Sequence, residues 1–303
     1  LILKLDSKGI ETQITPQGCV LQKSKYSETW NQVNSGGTTK SVILLIKETL
    51  KLYIANVGDS DALLCCSSDI LKPSDLHYEK NSIPLLVEED TSSNILVLTG
   101  NHSPNNPNEY TRMRTECPSV TNKLNASAEF IYDNQVKDKT TCSSIFDISE
   151  TSGKPIVIPA IPGNCYYKNV RKEYASYVTT PKNAQQDIRL SMTRSLGDHI
   201  LKQYGVSCFP EIQSIDLSKM FCKLEKNEQK PVICIVLATD GVWDNWLYKD
   251  VSAFVMYENC LKTVSTDLEN GTQKVTDSFM ERNMLFSKRH FGKSADNATV
   301  VTM

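Results

Sequence analysis

Val232 to Leu237 is an unbroken apolar run, and it stops at Asp240-Gly241 with Trp243, Asp244 and Trp246 close behind. A short apolar run bounded by turn residues reads as a strand buried on both faces. Such a strand needs cover on each side, which points to a layered domain. A carboxylate at its end is held on rigid backbone beside apolar walls. That is a costly place for a charge unless a cation sits there. Asp-Gly is also a common hairpin turn, so the local sequence alone leaves both readings open.

The rest of the chain supplies partners for this strand. Leu1 to Leu5 is a short strand pattern, and residues 10–34 are polar and weakly patterned. Val42–Ile46 and Leu50–Val57 read as strands joined by a turn at Lys47-Glu48-Thr49, with Ala62–Cys65 as a third. Ile95–Leu98 reads as another. Asn106 as N-cap and Pro107 at the first helical position predict a short helix to about Cys117. Val251, Phe254, Val255 and Leu261 mark one amphipathic helix, and Val275, Phe279, Arg282 and Phe286 a second. A last strand is expected over Thr299–Met303. The pattern predicts an α/β (α+β) arrangement in which mainly antiparallel sheets are covered by helices. Residues 118–185 show little periodicity, so they are expected to form an insertion or functional loop within a single domain spanning 1–303.

The formal net charge of -2 gives no electrostatic case for nucleic acid or an anionic membrane as the main partner. The apolar runs are strand-sized rather than bilayer-sized. None of the ten cysteines forms Cys-x-x-Cys, which points to reduced thiols in an intracellular protein rather than a disulfide framework or zinc site. The four histidines show no ligand spacing and read as surface or structural residues. The chain starts at Leu1 in an apolar stretch, and a fragment of a longer polypeptide is expected.

Four corners end alike: Gly58-Asp59, Gly197-Asp198, Asp240-Gly241 and Asp296-Asn297. If the last strand runs antiparallel to the 232–237 strand, Asp296 meets Asp240 at one sheet edge. If a helical turn begins at Asp240, Asp244 shares its face. Clustered carboxylates repel one another unless cations bind them. Oxygen-only ligands suit Mg²⁺, Mn²⁺ or Ca²⁺.

These corners, in this order, resemble the metal-dependent serine/threonine phosphatases of the protein phosphatase 2C (PPM) family. Ser35 to Thr39 resembles its "SGTT" turn and Leu52 to Ser60 its "NxGDS" corner. Asn101 to Met113 resembles "DHxPxxxxExxR". Met192 to Asp198 resembles "SRxxGD", with Pro210-Glu211-Ile212 following as "PEV". Val236 to Asp244 resembles "LASDGxWD", and Asp296-Asn297 the terminal "DN". The resemblance implies a central antiparallel β-sandwich flanked by helices. It implies hydrolysis of phosphoserine and phosphothreonine in proteins by a water activated between two divalent cations, Mg²⁺ or Mn²⁺, with a third, weaker position. Carried over, Asp240 with Gly241 and Asp296 fall at metal-ligand positions, and Asp59 and Asp244, with Asp240, line the third. Asp198, Asn297 and Gly58 are supporting. The 118–185 stretch stands where the family has its flap. The expected protein is a cytoplasmic or nuclear monomer acting on phosphoproteins, with no nucleic-acid or membrane partner.

The family's "DGHGG" segment is not seen in this chain, and with it go the family's catalytic His and Arg. Asp6, after the Leu3-Lys4-Leu5 strand, is the one candidate for the bridging carboxylate it would supply. A second reading therefore stands beside the enzyme: a phosphatase-like binding or regulatory module that no longer hydrolyses phosphate. A third is an unrelated β-sandwich whose Gly-Asp corners are turns.

Overall fold

The computed structural model describes residues 2–5, 10–14, 20–23, 29–32, 36–67, 94–116, 127–136, 138–182, 184, 186–218, 232–262 and 268–303. The chain divides into two compact units. The first holds Leu1–Thr38, Ser103–Asn164 and Ser176–Cys208; the second holds Thr39–His102, Cys165–Ala175 and Phe209–Met303.

The second unit is built on two antiparallel sheets. One orders Glu211–Asp216, Lys51–Val57 and Lys40–Ile46; the other orders Val300–Thr302, Ile233–Ala238, Asp61–Cys66 and Ile95–Val97. The side-chain alternation of a strand explains why its central strands are apolar on both faces. From Asp61–Cys66, Ala62, Leu64 and Cys66 join Leu52, Ile54 and Ile215 in one core, while Leu63 and Cys65 face the other way. From Ile233–Ala238, Ile235 goes to the first core and Cys234, Val236 and Ala238 to the second. Helices Tyr248–Lys262 and Leu268–His290 close that second core with Val251, Val255, Val275 and Phe279. The strand buried on both faces and its helical cover are as the sequence pattern requires. Each fully buried side chain of this kind contributes on the order of 1.5–3 kcal/mol.

Val300–Thr302 pairs antiparallel with the central strand, Ala238 opposite Val300 and Val236 opposite Thr302. Asp240-Gly241 is not a hairpin turn. It opens the short helix Asp240–Trp243, whose first turn is sealed by the Asp244 N–H donating to the Asp240 carbonyl at 2.8 Å.

In the first unit, the described residues within 10–34 are more regular than their polar sequence suggested. Ile2–Leu5, Ile10–Ile14, Val20–Lys23 and Trp30–Gln32 form a four-stranded antiparallel meander. Strands of three to five residues are too short to show a clear period of two. Gly37–Thr38, expected as a plain turn, pairs with Leu196–Gly197; Ser35 lies outside the described residues. The predicted helix spans Pro107–Glu116, with the Asn106 side chain accepting from the Asn108 N–H at 2.9 Å. Its Tyr110 packs on Phe130 and Phe146. Glu109, on the same helix, is buried between Arg112 and Arg194, at 2.8 and 2.6 Å. Burial pushes its carboxyl up, but the hydrogen bonds from Arg194 and Arg112 outweigh that and hold it down at about 2.

Within 118–185, Glu129–Tyr132 pairs with Ser176–Thr179, and Phe146–Ile148 with Pro155–Val157. Cys165–Ala175 belongs to the second unit.

Candidate active site

The acids of the second unit gather at the ends of its strands. Asp59 sits in the corner after Lys51–Val57, where Gly58 takes φ +107°, a conformation only glycine adopts freely. A Cβ on Gly58 would also lie 2.3 Å from Thr39 Cγ2. His102 pins this corner: the Gly58 N–H and carbonyl lie 3.2 and 3.0 Å from its Nδ1, and its Nε2 lies 3.3 Å from Glu211. His102 is fully buried and structural, as the dispersed histidines suggested.

Asp240 and Asp296 are brought together by the strand pairing. Thr239 N–H donates to the Thr299 carbonyl at 3.1 Å, and Thr299 N–H to Thr239 Oγ1 at 3.1 Å. Two residues after Thr239, Gly241 lies against the Asn297 carbonyl. Burial pushes the Asp240 carboxyl up, and the charge of Asp296 adds to the push. Asp244, at the end of the one-turn helix, is raised to about 6 by burial and then by Asp240, against the pull of Lys168. Asp59 is raised to about 7, chiefly by burial, with Lys168 opposing and Asp240 and Asp61 adding. Asp59, Asp240, Asp244 and Asp296 thus form one electrostatic cluster.

Sequence reasoning missed the counter-charges. Cys165–Ala175 folds against the Asp240–Trp243 helix and brings Lys168, Asn169, Arg171 and Glu173 with it. Val170 N–H donates to the Asp244 carbonyl at 3.1 Å, and Asn169 Nδ2 to Asp244 Oδ1 at 3.3 Å. Arg171 donates to the Trp243 carbonyl and stacks 4.8 Å over the Tyr248 ring. Lys168 Nζ lies 3.6 Å from Glu173, which Arg171 Nε also reaches at 2.9 Å. The signal was the charge run Lys168-Asn169-Val170-Arg171-Lys172-Glu173 inside an otherwise unpatterned stretch.

Asp198 belongs to the first unit. It takes φ +45° ahead of the short helix His199–Lys202, and its N–H donates to the Gly36 carbonyl at 3.0 Å. A Cβ on Gly37 would lie 2.0 Å from the Asp198 carboxylate and 2.8 Å from the Leu196 carbonyl oxygen, so a side chain there would force one of them to shift. Asp6 lies outside the described residues. Cys65, Cys66, Cys142, Cys165, Cys208 and Cys234 are free thiols; Cys65, Cys66 and Cys234 are buried, while Cys208 is exposed.

Among the described residues, no group of three or more His, Cys, Asp or Glu is arranged to hold a metal ion. The donor chemistry still fits a hard cation. The cluster offers carboxylate oxygens, with the Lys168 ammonium as the counter-charge beside them. No described helix is long and apolar enough to cross a membrane.

Two curated relatives come from Arabidopsis thaliana. Probable protein phosphatase 2C 24 is 29% identical over 116 residues, covering 38% of this chain and 28% of that protein. Probable protein phosphatase 2C 65 is 40% identical over 55 residues, covering 18% of this chain and 12% of that protein. The chain thus aligns with under a third of the length of either. Among solved structures, a serine-threonine phosphatase 2C from Toxoplasma gondii matches 89% of this chain and 58% of its own, at 17% identity and TM-score 0.47. A C. elegans sex determining protein matches 88% of this chain and 40% of its own, at 16% identity and TM-score 0.44. The family model for Protein phosphatase 2C matches residues 12–284, most of the length, and on that match the chain belongs to the protein phosphatase 2C family.

Proposed function

We propose that this chain is the phosphatase part of a protein serine/threonine phosphatase dependent on Mg²⁺ or Mn²⁺. The observation that carries the reading is the placement of Asp59, Asp240, Asp244 and Asp296 in one electrostatic cluster, three of them raised by burial and by one another. Asp240 and Asp296 would hold the cation, with Asp59 and Asp244 lining a neighbouring position. Bound there, the cation would supply an acidified water and neutralise charge on the phosphoryl oxygens. The chain's own part is to fix these carboxylates on strand ends and a short helix, so little reorganisation remains. Lys168 adds a positive charge beside them, suited to drawing in an anionic phosphoester. Asn169 holds Asp244 in place.

The test is hydrolysis of a phosphothreonine peptide by the purified chain with Mn²⁺ titrated in, beside Asp240→Asn. Saturable Mn²⁺ dependence, reduced by about 100-fold or more in the variant, supports the reading. Equal rates with and without Asp240 would overturn it.

One observation favours the second reading, a binding module without hydrolysis. Lys168 places an ammonium beside Glu173, Asp59 and Asp244, giving the acids a built-in counter-charge. In that case a phosphothreonine peptide would bind without turnover at any Mn²⁺ concentration.

A further inference from the structure

The first unit contains a cavity of about 220 Å³ that the acid cluster does not account for. Its apolar wall is the aromatic trio Tyr110, Phe130 and Phe146, with ring centroids 4.3–5.7 Å apart. Its charged lining is Arg114, Lys139, Lys182 and one carboxylate, Glu129, three cations to one anion.

Two of these charges are already engaged. Lys139 donates to the Thr180 carbonyl at 2.7 Å and pairs with Asp187 at 3.3 Å. Glu129 Oε1 accepts the Lys182 backbone N–H at 3.2 Å. Arg114 differs. Its guanidinium stands 5.0 Å over the Tyr110 ring, and its Nε–H is buried with no acceptor among the described residues. A buried donor left unmatched costs about 1–3 kcal/mol, more when charged, so its retention asks for a partner from outside. The Lys182 side chain is exposed at the same cavity.

An oxyanion is the acceptor that a guanidinium and an ammonium bind best. The ring wall adds a preference for an apolar body behind the charged head. The cavity is smaller than the roughly 300–1,000 Å³ typical of drug-sized ligands, so the occupant is no larger than a single side chain. We propose that the first unit binds a compact aromatic or aliphatic oxyanion here, its carboxylate or phosphoryl head on Arg114 and Lys182 and its body on Tyr110, Phe130 and Phe146. The head can come from a free small acid or from the end of a peptide; both present the same chemistry. The site stands on different residues from the proposed metal cluster and does not depend on that reading.

The experiment is isothermal titration of the full chain carrying Asp240→Asn, so that phosphatase chemistry does not intrude. The probes are benzoate, phenylphosphonate, the neutral control benzyl alcohol, and a short peptide ending in Phe. The expected result is binding of both anions, weakened about tenfold by Arg114→Gln and kept within about threefold by Arg114→Lys. Tighter binding of the peptide than of benzoate assigns the head to a chain end, and the reverse assigns it to a free acid. If Arg114→Gln does not fold, Lys182→Glu carries the same test, with at least a several-fold loss expected. No binding by either anion, equal binding of benzyl alcohol, or binding indifferent to the cation substitutions would overturn the proposal.

Discussion

Gly241 lies so close to Asn297 that a Cβ at this position would stand 2.2 Å from the Asn297 carbonyl oxygen. The obstacle is backbone, which cannot swing away as a long side chain could. The two segments that carry Asp240 and Asp296 therefore meet only because residue 241 has no side chain. Gly241→Ala should destabilise the fold by about 1–3 kcal/mol, the usual cost of overpacking. It should also weaken Mn²⁺ binding about tenfold by moving Asp296 away from Asp240. Chemical denaturation and a Mn²⁺ titration of the same variant would check both effects. Unchanged values in both would mean that the closeness has no functional weight.

Asp59 sets a pH dependence that can be signed. Its carboxyl is raised from 3.8 to about 7 in the folded chain. Between these values the folded form keeps a proton that the unfolded form has lost, so folding stability falls as pH rises through that window. Asp244, raised to about 6, acts in the same sense over the lower part of it. In the presence of a chelator, the chain should be less stable at pH 8 than at pH 5. Asp59→Asn should flatten the difference and stabilise the chain at pH 8 by on the order of 1–3 kcal/mol. Urea melts at the two pH values decide it; a wild-type slope that persists in the variant would remove Asp59 as its source.

Glu109 acts in the opposite sense and in a separate window. Its carboxyl is held at about 2 between two guanidiniums, against an ordinary value of 4.5. The stability it contributes is complete above about 4.5 and is lost as pH falls towards 2. Glu109→Ala leaves the buried Arg194 guanidinium without its carboxylate partner, a change that costs about 3–5 kcal/mol. Thermal melts at pH 7 should show a large drop for this variant, and a shift of less than a degree or two would contradict the account.

The frame of the second unit was legible because its strands are covered on both faces or capped by helices. Val232–Leu237 announces itself as apolar without alternation, and Val251, Val255, Val275 and Phe279 repeat at helical spacing. The acid corners were legible too, because Gly58, Asp59, Asp240 and Gly241 stand where strands stop. The meander over Ile2–Gln32 was not, since strands of three to five residues leave no reliable period. Lys168, Arg171 and Glu173 were hidden for a different reason. Their segment is anchored by Asn169 and Arg171, which reach Asp244 and Trp243 across 75 and 72 positions of chain, and no local pattern encodes such a contact. The aromatic cavity was equally silent, because Tyr110, Phe130 and Phe146 come from a helix and two strands that only the fold unites.

Asp240 and Asp296 are proposed to hold one divalent cation jointly, and Mn²⁺ titration of the purified chain followed by electron paramagnetic resonance checks this. Wild type, Asp240→Asn, Asp296→Asn and the double variant would be compared at pH 8. Each single substitution should weaken Mn²⁺ binding at least tenfold, and the double variant should lose less than the two single losses combined, because both oxygens act on the same ion. Mn²⁺ affinity unchanged in both single variants, or losses that simply add, would contradict the shared site.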